Sequence, residues 1–267
     1  MCACQHRKWY CSPRFLYIFS LEVNAIYDIL IHVEFIKKTE VPLMPLHKNP
    51  YIDFYRHLGF ACVGGFFGAY AILCRCGVMG SAQTMNLLEL VINALFGEGS
   101  KALLHVIAFA IYILGTMLMV LLPHYCHADM HRLSPIIDGL VAVIIAFFPE
   151  DMNVVVGLYP IYFAMSVQWS SFSGARGFYS STIFSTNNTK QASLSLAEFI
   201  CDKDKIHLRK TFFYACTLLS FHVGAAWAFF AVKFFAVRGS LLCLPLIAWA
   251  YYMVVCEERF EKGKNVA

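Results

Sequence analysis

From Leu58 onward, apolar residues gather in long stretches separated by short polar segments. Six stretches approach the roughly 20 residues a helix needs to cross a bilayer. They are Leu58 to Cys74, Ala102 to Leu122, Pro135 to Pro149, Asn153 to Phe172, Thr211 to Val232 and Ser240 to Cys256. The second carries no charge and stops at Pro123, whereas the third is short and holds Asp138 near one end. Gly64, Gly65 and Gly68 in the first are small residues that let a neighbouring helix come close. Gly115 in the second stretch has a counterpart in Gly224 of the fifth.

Two polar segments interrupt this pattern. Gly77 to Phe96 contains Ser81, Gln83, Thr84 and Asn86, and 102 positions later Thr186 stands for Thr84 and Asn188 for Asn86, within Ile183 to Leu194. Each segment follows one apolar stretch and precedes another, which reads as an internal repeat, 58–149 and 153–256. If neither polar segment crosses, each half holds three spans, and the second half enters from the opposite side, as in inverted-repeat transporters. The expected fold is therefore an all-α integral membrane protein of about six transmembrane helices, in two three-helix inverted-topology repeats. Each repeat carries a polar re-entrant or interfacial segment. Non-helical backbone at membrane depth is tolerated only where protein buries it or water reaches it, so an internal cavity is expected between the two Thr-x-Asn segments. The membrane domain spans 51–258, between an N-terminal cytoplasmic extension, 1–50, and a cytoplasmic tail, 259–267.

Composition agrees with lipid as solvent: 14% of residues are charged and 59% hydrophobic, with mean hydropathy +0.61, against about 25% charged in soluble domains. Cytoplasmic loops collect Lys and Arg. With the amino terminus inside and six spans, 17 of the 21 cations fall on the cytoplasmic side. Eight spans would lower that number to 15. The eleven cysteines are an odd number, mostly in apolar segments, so they read as small hydrophobes rather than a disulfide framework. In the first 50 residues, Cys2, Cys4, His6 and Cys11 match no standard zinc spacing, and Phe15 to Ile36 could form an amphipathic helix on the membrane.

The chemistry-bearing residues are mostly neutral amides and hydroxyls. Thr84, Asn86, Thr186 and Asn188 can offer oxygen and nitrogen to a polar solute or a partly dehydrated ion, or can cap helices instead. Gln83 and Gln168 are single amides in apolar company, suited to a path or to interhelical hydrogen bonding. Glu89 and His222 are ionisable groups within apolar sequence, the first a functional candidate if it lies in the bilayer, the second a proton carrier or a histidine bonded to a backbone carbonyl. Asp138 is placed to pair with His131 or Arg132 at the cytoplasmic edge, and the His124 to His131 loop has no recognised metal spacing. No HExxH, GxSxG or phosphate loop occurs, so neither an enzyme, a cofactor nor a metal is expected, and nothing points to nucleic acid.

The sequence resembles the YoaK-like family of bacterial multi-pass membrane proteins. The resemblance rests on Gly64-Gly65-Phe66 with Ala69-Tyr70, on Ala82-Gln83-Thr84-Met85-Asn86-Leu87 and on Thr186-Asn187-Asn188, and it covers roughly 51–257. The family's Thr-Gly-Asn has Met85 and Asn187 in place of its glycine, and Gly68 replaces an acidic residue. The resemblance implies about six spans and a bacterial inner membrane, and no activity. The functional expectation is a transporter or channel-like protein for a small polar solute or ion, with both termini cytoplasmic. A non-transporting scaffold or sensor subunit is the alternative, and a homo-oligomer is compatible with either.

Overall fold

The computed structural model describes residues 50–81 and 83–264. The cysteine-histidine cluster and the amphipathic segment of the first 50 residues lie outside them. Among the described residues there are eight α-helices, two 3-10 segments and one two-residue hairpin. The helices are α1 (Pro50–Cys74), α2 (Gln83–Leu95), α3 (Gly99–Cys126), α4 (Met130–Ala146), α5 (Tyr159–Ser171), α6 (Thr186–Asp202), α7 (Lys205–Phe235) and α8 (Leu244–Lys264). Three helical stretches are long and apolar enough to cross a membrane: Tyr51–Cys74, Gly99–Cys126 and the 58 residues of Lys205–Lys262.

Several boundaries differ from the sequence reading, each for a local reason. α3 continues past Pro123 to Cys126, because a proline in the last turn forfeits only one backbone bond, and left-handed His127 closes the helix. α4 starts at Met130 rather than Pro135, since the Asp129 carboxylate accepts from the backbone N–H of His131 and caps it. Asp138 is therefore the ninth of 17 residues, at the middle of α4 rather than near its end. Arg132 pairs with Glu258 and Asp129, so the pairing expected for Asp138 is not made. Asn153 does not begin the fourth stretch as α-helix: its Oδ1 accepts from the N–H of Val155 and Val156, and a 3-10 turn, Val156–Leu158, leads into α5. The 3-10 segment Ala236–Cys243 likewise precedes α8, which runs to Lys264 through residues read as tail.

α1 is the helix the others gather on. It packs most extensively on α7 and also on α8. Along α1, the Leu58 carbonyl accepts from Ser220 Oγ, Gly65 lies against Phe221, and Tyr70 donates to the Val237 carbonyl, so α1 and α7 run the same way. Arg56 meets Glu257 while Gly59 meets Ala250, so α8 runs oppositely and folds back beside α7. α5 opposes α1 too: Gln168 reaches Phe60 near the start of α1, and Leu158 and Ile161 meet Gly80 beside Ala71 near its end. α3 and α5 run together, with Tyr159 at Leu104, Ser166 at Gly115 and Ser171 at Met119. α4 opposes α8, through Arg132 to Glu258 and Gly139 to Leu244.

The α1–α7 contact is made by glycines, as the paired residues of the first stretch suggest. A methyl added at Gly65 would sit 1.9 Å from the Phe221 carbonyl oxygen, and one at Gly224 would sit 1.9 Å from that of Cys62. Two helix backbones thus touch reciprocally, where side chains would hold them apart. Gly68, by contrast, has ordinary clearance, its nearest neighbour being Ser81 Oγ at 3.5 Å. Between lipids, where apolar burial gives little drive, such packing carries association. Around it Phe60, Phe66, Phe67, Tyr70, Met165 and Phe172 are buried, with Phe60 stacked on Phe172 at 3.7 Å.

Gly65→Val and Gly224→Val are each expected to cost about 1–3 kcal/mol or more, lowering the thermal midpoint of the purified protein by roughly 2–12 °C. Gly99→Ala, which meets nothing within 4 Å, is expected to leave it unchanged.

Candidate functional site

The chain between α5 and α6 forms the site. Ser171 ends α5, and the hairpin Gly174–Ala175 with Phe178–Tyr179 turns through Arg176 and Gly177, both at positive φ, the two-residue turn that suits strand twist. Asp53 of α1 holds the turn, its Oδ2 accepting from the Arg176 N–H at 2.7 Å, and the Arg176 guanidinium lies 4.3 Å from the Phe54 ring centre. From there residues 180–183 run outside any helix or strand, bending at Thr182 and Ile183, and all four are buried. Ser180 meets His57, at 3.0 Å between Oγ and Nε2, and Thr182 meets Gly64, where an added methyl would fall 2.2 Å from the Thr182 carbonyl oxygen. Over three residues this segment thus climbs from the first turns of α1 to its middle, about 10 Å at 1.5 Å per helical residue. α6 then returns along α7, joined to it where His207 pairs with Glu198 and Asp202.

Asn188 and Gln168, both sequence candidates, tie this excursion down. Asn188 Nδ2 donates to the carbonyls of Ser181 and Phe184, and its Oδ1 accepts from Ser180 Oγ and the Ser181 N–H. Gln168 Nε2 donates to Thr182 Oγ1 and to the Phe60 carbonyl, each at 3.0 Å, the interhelical role its isolation suggests. At the base, Arg56 bridges Asp53 and Glu257, 2.8 Å from the latter, with all three side chains buried. The result is a polar network that joins α1, α5, α6 and α8 to the 180–183 segment, in which every Asn188 group is used.

The other candidates fall elsewhere. Asn86 is buried against α3, its Oδ1 2.8 Å from His105 Nδ1 and its Nδ2 donating to the His105 carbonyl and Gln83 Oε1. Glu89 is half-buried one turn on and accepts from Asn93. α2 packs on α3 and α6 on α7, with no extensive contact between α2 and α6, so the two Thr-x-Asn segments do not face one another. The reason is that each asparagine is spent within its own half. Thr84 and Thr186 are exposed rather than lining a path, Thr186 at the first position of α6, where Ser185 precedes it as cap. His222 lies on the exposed side of α7 and bonds the Leu218 carbonyl at 2.7 Å, the backbone-bonded alternative, though not buried.

What the segments share is a stripe. Asn86, Glu89, Leu90 and Asn93 face α3, and 102 positions on Asn188, Gln191, Ala192 and Ser195 face α7, buried or half-buried in the same order. The backbone leading into each also crosses between halves: Gly80 presses on Leu158 of the 3-10 turn and Ile161 of α5, and Thr182, 102 positions later, presses on Gly64 of α1. Arg56, His57, Asp53, Glu257, Ser180 and Thr182 were not sequence candidates. The first four occupy ends of stretches, where charge is ordinarily solvated, and the last two have side chains too common to stand out. Among the described residues no group of three His, Cys, Asp or Glu is arranged to hold a metal ion.

Removing one partner of a buried ion pair strands the other. Arg56→Ala is expected to destabilise by roughly 3–5 kcal/mol, and Arg56→Ala with Glu257→Ala by less than the sum of the singles, in a thermal-unfolding cycle on detergent-purified protein.

No curated protein and no solved structure matches the chain significantly. A family model does match residues 57–254, from His57 of the network through α8. The chain belongs to the family described as proteins of unknown function, DUF1275.

Proposed function

We propose that the chain is a six-span membrane transporter or channel-like protein for a small polar solute or ion, built as two inverted-topology repeats. The spans are α1, α3, α4, α5, α7 and α8, and α2 and α6 are re-entrant or interfacial. The observation that carries the reading is the Thr182 carbonyl against Gly64, halfway along α1. Non-helical backbone at that depth is found in membranes where protein encloses it or a water-filled path passes it, and broken segments of this kind form transporter binding sites. The opposite directions of α1 and α5, α3 and α7, and α4 and α8 support the inversion. The binding residues are Gln168, Thr182 and Asn188 rather than the exposed threonines. Both termini are cytoplasmic, in a bacterial inner membrane under the YoaK-like resemblance. The complete use of Asn86 and Asn188 in local hydrogen bonds favours a second reading, a scaffold or sensor subunit in which the same residues only fix the fold.

Two measurements test this. Cys76, Cys126 and Cys201 are all exposed. In intact cells carrying single-cysteine variants, a membrane-impermeant thiol reagent is expected to label Cys76 only, with Cys126 and Cys201 labelled after permeabilisation; Cys126 labelled from outside would mean eight spans. In a thermal-stabilisation screen of small polar solutes and ions, a ligand at 100 times its Kd adds about 2.7 kcal/mol, raising the midpoint by roughly 5–11 °C. The gain should vanish in Gln168→Ala while the unliganded fold persists. A stabiliser indifferent to Gln168→Ala, or a screen with none, favours the scaffold.

A further inference from the structure

Among the described residues, the polar network leaves one buried acid unused. Asp138, at the centre of α4, is 0% exposed, and neither carboxylate oxygen has a hydrogen-bond partner among the described residues. Ser134, one helical turn earlier and also fully buried, has an unpartnered Oγ. The hydroxyl and the carboxyl therefore stand on one face of α4, i and i+4. The surroundings are apolar and thiol: α4 packs on the 3-10 segment, whose last residue, Cys243, is buried.

Charged groups are remote from this point. On α4 itself Arg132 is six residues away, about 9 Å along the axis, and is held by Glu258 of α8; Glu257 of α8 is held by Arg56. α5 brings Tyr159 and Tyr162, the first donating to the Leu104 carbonyl, and α3, which packs on α4 only lightly, brings His105, bonded to Asn86, and Tyr112. Cys243 is the titratable group that the 3-10 segment presents, and the Ser240 hydroxyl is already spent on the Ala142 carbonyl. A bare carboxylate so enclosed costs more than a marginally stable fold can carry, so a positive partner must meet it. A hard metal cation needs about six oxygens, whereas the unpartnered oxygens on this face of α4 are the two of Asp138 and one of Ser134. A proton needs one.

We propose that Asp138 is a proton-binding site at the heart of the bundle, and that its protonated carboxyl takes the Ser134 hydroxyl, unbonded in this structure, as hydrogen-bond partner. A proton from the aqueous phase adds to a carboxylate oxygen, and only that O–H bond forms on uptake and breaks on release. The inference rests on the membrane reading and names the ion of that reading, but it does not require transport to have been detected.

The test is infrared spectroscopy of the full chain reconstituted in vesicles, with and without carbon-13 aspartate. The expected result is a protonated-carboxyl C=O stretch at neutral pH that shifts with the aspartate label, disappears in Asp138→Asn, changes frequency in Ser134→Ala and is lost in one step on alkaline titration. If Asp138→Asn does not fold, the labelled wild type and Ser134→Ala carry the decision. Absence of a label-sensitive band at neutral pH overturns the proposal. So does a band unmoved by both substitutions, or one that sodium or potassium chloride removes at constant pH, which would make the ligand a metal cation. Failure of the solute screen with the band intact would sink the transport reading and leave this site standing.

Discussion

A peptide group moved out of water must find its hydrogen bonds within the protein, and this constraint organises the whole bundle. Helices satisfy it along most of the chain. At 180–183 the backbone is neither helix nor strand, and the structure satisfies it with side chains instead: Asn188 takes the Ser181 and Phe184 carbonyls and the Ser181 N–H, and the Ser181 hydroxyl takes the Ile183 N–H. Glycine makes room for this on α1. Gly64 admits the segment and Gly65 admits α7, so two neighbouring residues lacking side chains let both partners reach one helix.

Polarity in the bundle follows from that arrangement. The Arg56, Asp53 and Glu257 cluster sits where α1 begins and α8 ends, and it fixes the hairpin through the Arg176 N–H. Its worth is positional: buried ion pairs are poor sources of net stability, but this one sets the height at which the 180–183 segment enters. His57, stacked at 5.3 Å on Phe213 and bonded to Ser180, transmits that height from α1 to α7.

Much of the architecture was legible because the sequence repeats itself in type. All six apolar stretches are helical, wholly or over most of their length, and the offset relating Thr84 to Thr186 also relates the buried stripes at Asn93 and Ser195. Within the Thr-x-Asn motif, however, the sequence could not say which residue faces inward. Helical geometry turns residues two apart to different faces, and the asparagine, with donor and acceptor both, took the buried one. Asp138 was misjudged because Pro135 looked like a start, while the signal that actually starts α4 is the capping Asp129. The Gln168 contacts with Phe60 and Thr182 join positions 108 and 14 residues apart, and no local pattern announces such a meeting.

The two halves also differ at their last joint. α3 and α4 are separated by irregular residues 127–129, whereas α7 and α8 are joined through the 3-10 segment Ala236–Cys243, which breaks from α7 at Ala236 (φ 49°, ψ −133°) and is pinned by Trp227 donating to the Leu242 carbonyl and by Gly239 pressed on Ala231. A coil hinge lets its arms tilt independently; a corner clasped to the helix before it does not. The carboxyl-terminal pair is thus a stiff bracket, the amino-terminal pair a loose one, and mechanical compliance in this bundle belongs to the side that carries Asp138.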